Sequence, residues 1–309
     1  MQMNETEKFL FDCQGFIHIQ EFLAKSEVAA LLDTCLQLEQ HARTCEYSAP
    51  RFIATCDFEF WQNEECGYFA TNANTEPDGG TFLIDDFWLF PGAFDMLVGH
   101  EPTMGYIREL IKHKSYRTTS PDGILVNNAE LRIRYPGNST PAHMGYPRNA
   151  NRRFNYHVDI DGEFNAGMVR MVYFLHDVDF HQGPICFIPG SHKSCFEVPA
   201  GPDARVENEP GMVPVPVKAG DAVLFTEACR HGGFTNHSEQ TRYTLHVGYA
   251  PDALASHNLS SQDEPMNVTD AFLGRLRPEQ RALLVRQRRQ SQPAMKESIS
   301  TSAGISLKA

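Results

Sequence analysis

The hydrophobic pattern changes character along the chain. From Ala129 onward apolar and polar residues alternate with period two. Glu130-Leu131-Arg132-Ile133-Arg134-Tyr135 runs up to a Pro136-Gly137 stop, the pattern of a strand with two unlike faces. Met168 to Leu175, Ile185 to Ile188, Ala222 to Phe225 and Tyr243 to Tyr249 read as further strands, joined by Gly- and Pro-containing turns. Val213-Pro214-Val215-Pro216-Val217 must be an edge or irregular strand, because its prolines cannot donate to a ladder. So many short strands predict a mainly β fold, a jelly-roll barrel, with the early helices packed outside. Those helices follow a different period. Ser26 is placed to cap one that carries Val28, Leu31, Leu32, Cys35 and Leu36 on one face. A second runs from Met104 to His113, with Tyr106, Ile107, Leu110 and Ile111 as its apolar stripe, and Pro278 opens a terminal helix.

Residues 44–96 fit neither period. Aromatic residues are dense there, and Asn72, Asn74, Pro77, Gly79 and Gly80 break the run. Most of these rings are expected to pack as an insertion under a loop, and a few to line a cover over an apolar substrate. No linker or internal repeat divides the chain, so one domain over 1–290 is expected. It comprises a helical, aromatic-rich part (1–125), a barrel core (about 126–250) and a C-terminal helix (about 268–290). The Ser/Gln/Lys-rich residues 291–309 are expected to be a disordered tail.

Composition narrows the partners. A net charge of −12 argues against nucleic acid, and no apolar run reaches the length of a membrane span. The acidic, polar start is no secretory signal, and the eight cysteines form no C-x-x-C pair; together these predict a cytoplasmic protein with reduced thiols.

The candidate chemistry lies in Phe154-Asn155-Tyr156-His157-Val158-Asp159-Ile160-Asp161. His157 and Asp159 stand two apart in a β-like run, so an imidazole and a carboxylate share one face. His231, just after the strand ending near Phe225, would complete two histidines and one carboxylate, a set that suits a ferrous ion with open positions. Among thirteen histidines an H-x-D arises easily by chance; the order along the barrel is what favours this one. His237-Ser238-Glu239 is a rival, but its surroundings read as a turn. Eleven residues after His231, Arg242 opens the last strand, with Thr244 on the same face.

These pieces resemble the phytanoyl-CoA dioxygenase family of iron(II)/2-oxoglutarate oxygenases. The likeness is carried by His157-Val158-Asp159, by Gly183-Pro184-Ile185-Cys186-Phe187-Ile188-Pro189-Gly190-Ser191-His192-Lys193, by Ala219-Gly220-Asp221 with the strand after it, and by His231-Gly232-Gly233 with Asn236 and Arg242. Over residues 8–250 it implies a double-stranded β-helix, cupin-like core and the cofactors Fe(II), 2-oxoglutarate and O2. His157, Asp159 and His231 would bind the metal and Arg242 the far carboxylate of 2-oxoglutarate, with Thr244 adding a hydroxyl. Tyr156 stands where the family commonly has Trp.

Other positions are ambiguous. The charges of Glu130, Arg132 and Arg134 face either the cavity or water; solvent is favoured for at least one arginine. His143, His176, His181 and His246 lack a second ligand at strand spacing and read as packing or surface. Arg148, Arg152 and Arg153 are either solvated loop charges or, with Tyr156, substrate contacts, the arginines reading an anionic group. The resulting expectation is a hydroxylase or related oxidase of a small metabolite, with release of succinate and CO2. The alternatives are a metal-dependent barrel oxygenase without 2-oxoglutarate, which Arg242 and Thr244 disfavour, and a non-catalytic relative.

Overall fold

The computed structural model describes residues 2–47, 51–52, 59–71, 81–112, 122–144, 156–196, 198–199, 203, 205–251 and 268–284. Helix α1 (Glu5–Gln14) starts at a reciprocal cap: Asn4 accepts from the Glu7 amide at 2.9 Å while the Glu7 carboxylate accepts from the Asn4 amide at 2.8 Å. It stops at Gly15, whose φ of +85° is left-handed and whose missing Cβ leaves room for the His192 ring. Helix α2 (Lys25–Thr44) begins one residue before the expected cap. Ser26 makes no cap; the Glu27 carboxylate accepts from the Ala24 amide at 2.7 Å instead. Its buried face is Val28, Leu31, Cys35, Leu38 and Ala42, whereas Leu36 lies exposed on the far side. Helix α3 (Glu101–Leu110) has the expected stripe, with Tyr106, Ile107, Leu110 and the following Ile111 buried. Short helices α4 (Asp270–Arg275) and α5 (Pro278–Ala282) lie near the C-terminus; the expected tail beyond 290 lies outside the described residues.

The strands are β1 (Phe16–Ile19), β2 (Arg51–Phe52), β3 (Glu59–Gln62), β4 (Phe69–Thr71), β5 (Thr81–Asp85), β6 (Ile124–Arg134), β7 (Thr140–His143), β8 (His157–Val158), β9 (Phe164–Asn165), β10 (Val169–Phe174), β11 (Ile185–Phe187), β12 (Val213–Val215), β13 (Ala222–Thr226), β14 (His231–Gly233) and β15 (Arg242–Pro251). A nine-stranded antiparallel sheet runs β1-β13-β10-β15-β6-β5-β4-β3-β2, and a four-stranded one β12-β11-β14-β7. Strand β12 is at the edge of the small sheet, with Pro214 opposite Cys186, as its prolines require. The aromatic segment is an extension of the large sheet beyond β6, and Tyr68, Phe82, Phe87, Trp88 and Phe94 are buried core residues.

Alternation sends opposite chemistries to the two faces of the large sheet. Leu131, Ile133, Met171, Tyr173, Leu245 and Val247 join α2 and α3 in one hydrophobic cluster. Val172, Phe174, Val223 and Phe225 point the other way and meet Phe187 and Val215 of the small sheet in a second cluster. Each such side chain contributes about 1.5–3 kcal/mol on burial. Between the sheets, beside that second cluster, lies the cavity described next. Among the described residues no helix is long and apolar enough to cross a membrane, and the seven described cysteines are free.

Candidate active site

A cavity opens between the sheets, lined by residues of β6, β10, β13 and β15 on one side and β7, β11 and β14 on the other. The inward parity of β15 delivers Arg242, Thr244 and His246, and that of β6 delivers Arg132 and Arg134. The expectation of a solvent-facing arginine on β6 is therefore corrected. Leu131 and Ile133 occupy the other face under the helices, so the charged parity turns into the cavity; Glu130 and Arg134 are buried and Arg132 nearly so.

Four arginines enter this cavity in two distinct situations. Arg170 donates to Glu227 at 2.5 Å and lies 2.9 Å from a Glu130 oxygen, whose other oxygen takes Arg132 at 2.7 Å. Burial alone would raise the carboxyls of Glu130 and Glu227, but the adjacent guanidiniums hold both below their ordinary range. Among the described residues, Arg242 and Arg134 have no carboxylate opposite. Arg242 is 2% exposed, and its Nε and one Nη find no partner. Burial pushes its pKa down to about 10. Arg134 donates to the Thr140 hydroxyl, and burial together with Arg242 and Arg132 depresses it further. Room for this guanidinium comes from Gly233: a Cβ there would sit 2.1 Å from an Arg134 nitrogen. Two desolvated cations side by side without an anion are costly unless a ligand supplies the charge.

His231 is buried in the same cavity. Its Nδ1 lies 2.8 Å from the Cys229 carbonyl and so carries the proton, which leaves Nε2 as a free lone pair 3.8 Å from a Glu227 oxygen. Burial and the neighbouring His143 push its pKa down to about 3, so the imidazole is neutral, as metal ligation demands. His143 stands opposite His231 in the β7–β14 register with ring centroids 4.2 Å apart, and its Nδ1 is 2.9 Å from the Pro141 carbonyl. His143 and His246 thus line the cavity, contrary to the expectation that they are packing or surface residues.

His157 and Asp159 are not brought to His231. They lie on the hairpin β8–β9, outside the cavity lining, and among the described residues no group of three or more His, Cys, Asp or Glu side chains is placed to hold a metal ion. The strand expected through Asp161 ends at Val158. The Asp159 carboxylate accepts from the Asp161 and Glu163 amides at 3.0 and 2.9 Å and closes a turn through Gly162. Tyr156, expected near substrate, instead donates to Asp12 at 2.7 Å and packs edge-on against His192. Arg148, Arg152 and Arg153 lie outside the described residues. His157 and Asp159 thus stand apart from the cavity that brings His231, Arg134 and Arg242 together.

The family model for phytanoyl-CoA dioxygenase matches residues 100–244. No curated protein matches the chain in sequence. Among solved structures, HygX from Streptomyces hygroscopicus with nickel and 2-oxoglutarate bound is similar at a TM-score of 0.59 and 18% identity, over 80% of this chain and 87% of that one. HygX with nickel, 2-oxoglutarate and hygromycin B bound gives 0.58 at 18% identity, again over 80% and 87%. SnoK, a non-heme alpha ketoglutarate dependent carbocyclase from nogalamycin biosynthesis, gives 0.53 at 17% identity over 86% and 94%. At such identities these likenesses speak to the fold. Over residues 100–244, from α3 to the start of β15, the chain carries the phytanoyl-CoA dioxygenase sequence pattern.

Proposed function

We propose that the chain is an Fe(II)- and 2-oxoglutarate-dependent oxygenase of a small metabolite, built on a double-stranded β-helix. The observation that carries this reading is the pair of buried arginines, Arg134 and Arg242, sharing one cavity with a neutral His231 and facing no carboxylate among the described residues. A short dicarboxylate supplies the missing charge. Arg242 offers unpartnered nitrogens to its far carboxylate, Arg134 adds a second cation, and Thr244 a hydroxyl. Val172, Phe174, Ile185 and Phe225 keep water from its methylenes. The two sheet orders and the 2-oxoglutarate bound in HygX support the assignment. Hygromycin B bound in HygX and the origin of SnoK in nogalamycin biosynthesis support a secondary metabolite as substrate.

The proposed iron ligands are His157, Asp159 and His231. His231 presents its Nε2 already; the hairpin β8–β9 must close onto the cavity mouth to bring the other two. Iron held by these residues, with 2-oxoglutarate, would supply the oxidising chemistry, O2 being consumed and succinate and CO2 released. The chain's own part is to hold the dicarboxylate, keep His231 in one tautomer and exclude water. One observation favours a second ligand set, with His143 in place of His157 and Asp159: His143 already faces His231 with ring centroids 4.2 Å apart.

Anaerobic titration of Fe(II), then 2-oxoglutarate, into wild type and single alanine variants tests both. Loss of metal binding is expected in His231→Ala. Loss in His157→Ala and Asp159→Ala with retention in His143→Ala supports the first set, and the reverse pattern the second. Undiminished iron binding in His231→Ala defeats both.

A further inference from the structure

His246 follows Thr244 on the cavity face of β15 and is itself buried. Its Nε2 lies 3.0 Å from the Thr244 hydroxyl, and its Nδ1 has no partner among the described residues. Burial first, then Arg132 and Arg170, push its pKa well below the ordinary value, so the ring is neutral and carries a single N–H. Two tautomers are open to it, and they do different things.

With the proton on Nδ1, a buried N–H is left unpaired in a field set by Arg132, Arg170 and Arg134 against Glu130. Thr244 must then spend its hydrogen on Nε2. With the proton on Nε2, the ring donates to Thr244 Oγ1, and the bare Nδ1 lone pair lies in the positive field, where it is favourable. The Thr244 hydrogen is then free. The other acceptor near it, the Arg132 carbonyl, is 3.5 Å away, at the outer limit of a hydrogen bond. A carboxylate seated on Arg242, one inward position along the same strand, is a far better one.

We propose that His246 is a positioning residue for the cosubstrate: its Nε2–H donates to Thr244 and thereby turns the Thr244 hydroxyl into a fixed donor to the carboxylate that Arg242 holds. This rests on the reading of the cavity as a 2-oxoglutarate pocket. It links the cosubstrate end of the cavity to the charge-paired end, because the groups that fix the tautomer, Arg132 and Arg170, belong to the latter.

The test is the affinity of the Ni(II)-loaded full chain for 2-oxoglutarate by titration calorimetry, with wild type and Arg242→Ala as references. Thr244→Val should weaken binding about tenfold and His246→Asn about three- to tenfold, the range of one hydrogen bond. His246→Gln carries an amide N–H to about the place of Nε2 and should stay within about twofold of wild type. His246→Asn added to Thr244→Val should cost nothing further, since the ring acts through that hydroxyl. A full His246→Asn effect in the Thr244→Val background, or equal losses in the Asn and Gln variants, would overturn the proposal, as would wild-type affinity in His246→Asn. Normal binding by wild type with loss in Arg242→Ala upholds the pocket even if His246 proves silent. Failure of wild type to bind, or full binding by Arg242→Ala, removes pocket and proposal together. Nitrogen-15 spectra of histidine-labelled, ligand-free wild type read the ring itself and need no variant for their outcome. They should show His246 protonated at Nε2; protonation at Nδ1 overturns the mechanism.

Discussion

The cavity holds two pairs of arginines that a composition count would not separate. Arg132 and Arg170 are met by Glu130 and Glu227; Arg134 and Arg242 are met by no carboxylate among the described residues. The first pair is part of the protein's own architecture, its charge already answered. The second is architecture with a gap in it, and the gap has the charge of a small dianion. Residue type is the same and all but Arg132 are buried, so function is read here from what faces each guanidinium.

The sharpest way to break this contrast is to remove one cation of each kind. Arg170→Met strands Glu227 in the interior, leaves Glu130 with Arg132 alone, and should cost about 3–5 kcal/mol in urea denaturation. Arg242→Met removes an unanswered charge and should leave ligand-free stability unchanged or raised. Equal losses in both would erase the distinction. Next in size, Arg242→Met should weaken 2-oxoglutarate binding about a hundredfold in calorimetry, with Arg242→Lys recovering only part, because Lys cannot reproduce the fork. Smaller again, Arg134→Gln should weaken it about tenfold, since that guanidinium keeps Thr140 as a second partner.

The smallest effect comes from acid. His192 is held down to about 4 by burial, so the folded state binds fewer protons than the unfolded chain below the free value of about 6.5. Its contribution is full above about 6.5 and is lost as pH falls toward 4. Glu130 and Glu227 stay ionised through that window because their pKa values are depressed. Melting temperature measured from pH 7 to 4.5 should therefore decline, and His192→Gln should flatten part of the slope, with His100, His143, His176, His231 and His246, all lowered first by burial, contributing with the same sign. An unchanged slope in that variant would assign the acid sensitivity elsewhere.

Much of the fold was legible because strand parity is strict. The runs at 130–135, 168–175, 222–225 and 243–249 all appear as strands, and the prolines of 213–217 placed that run at an edge. The shared face of Arg242 and Thr244 was legible for the same reason. Parity could not say whether the charged face of β6 looked into water or into a charged interior, because the two alternate identically with Leu131 and Ile133. Nor could it foresee that Asp159 would spend its carboxylate on a turn, a local use that competes with a distant metal. The pairing of His143 with His231 joins residues far apart in the chain, and no short-range signal marked it.

Gly233 lies in a motif otherwise read for its histidine, yet its missing side chain is where the Arg134 guanidinium lies. The two positions therefore form a single lock-and-key element spread over two sheets. In related chains that keep the cosubstrate, a larger residue at the position of Gly233 should arrive only together with a shorter one at that of Arg134. Where both have changed, the lineage has found another way to neutralise the ligand, and that joint exchange would mark a change of cosubstrate handling from sequence alone.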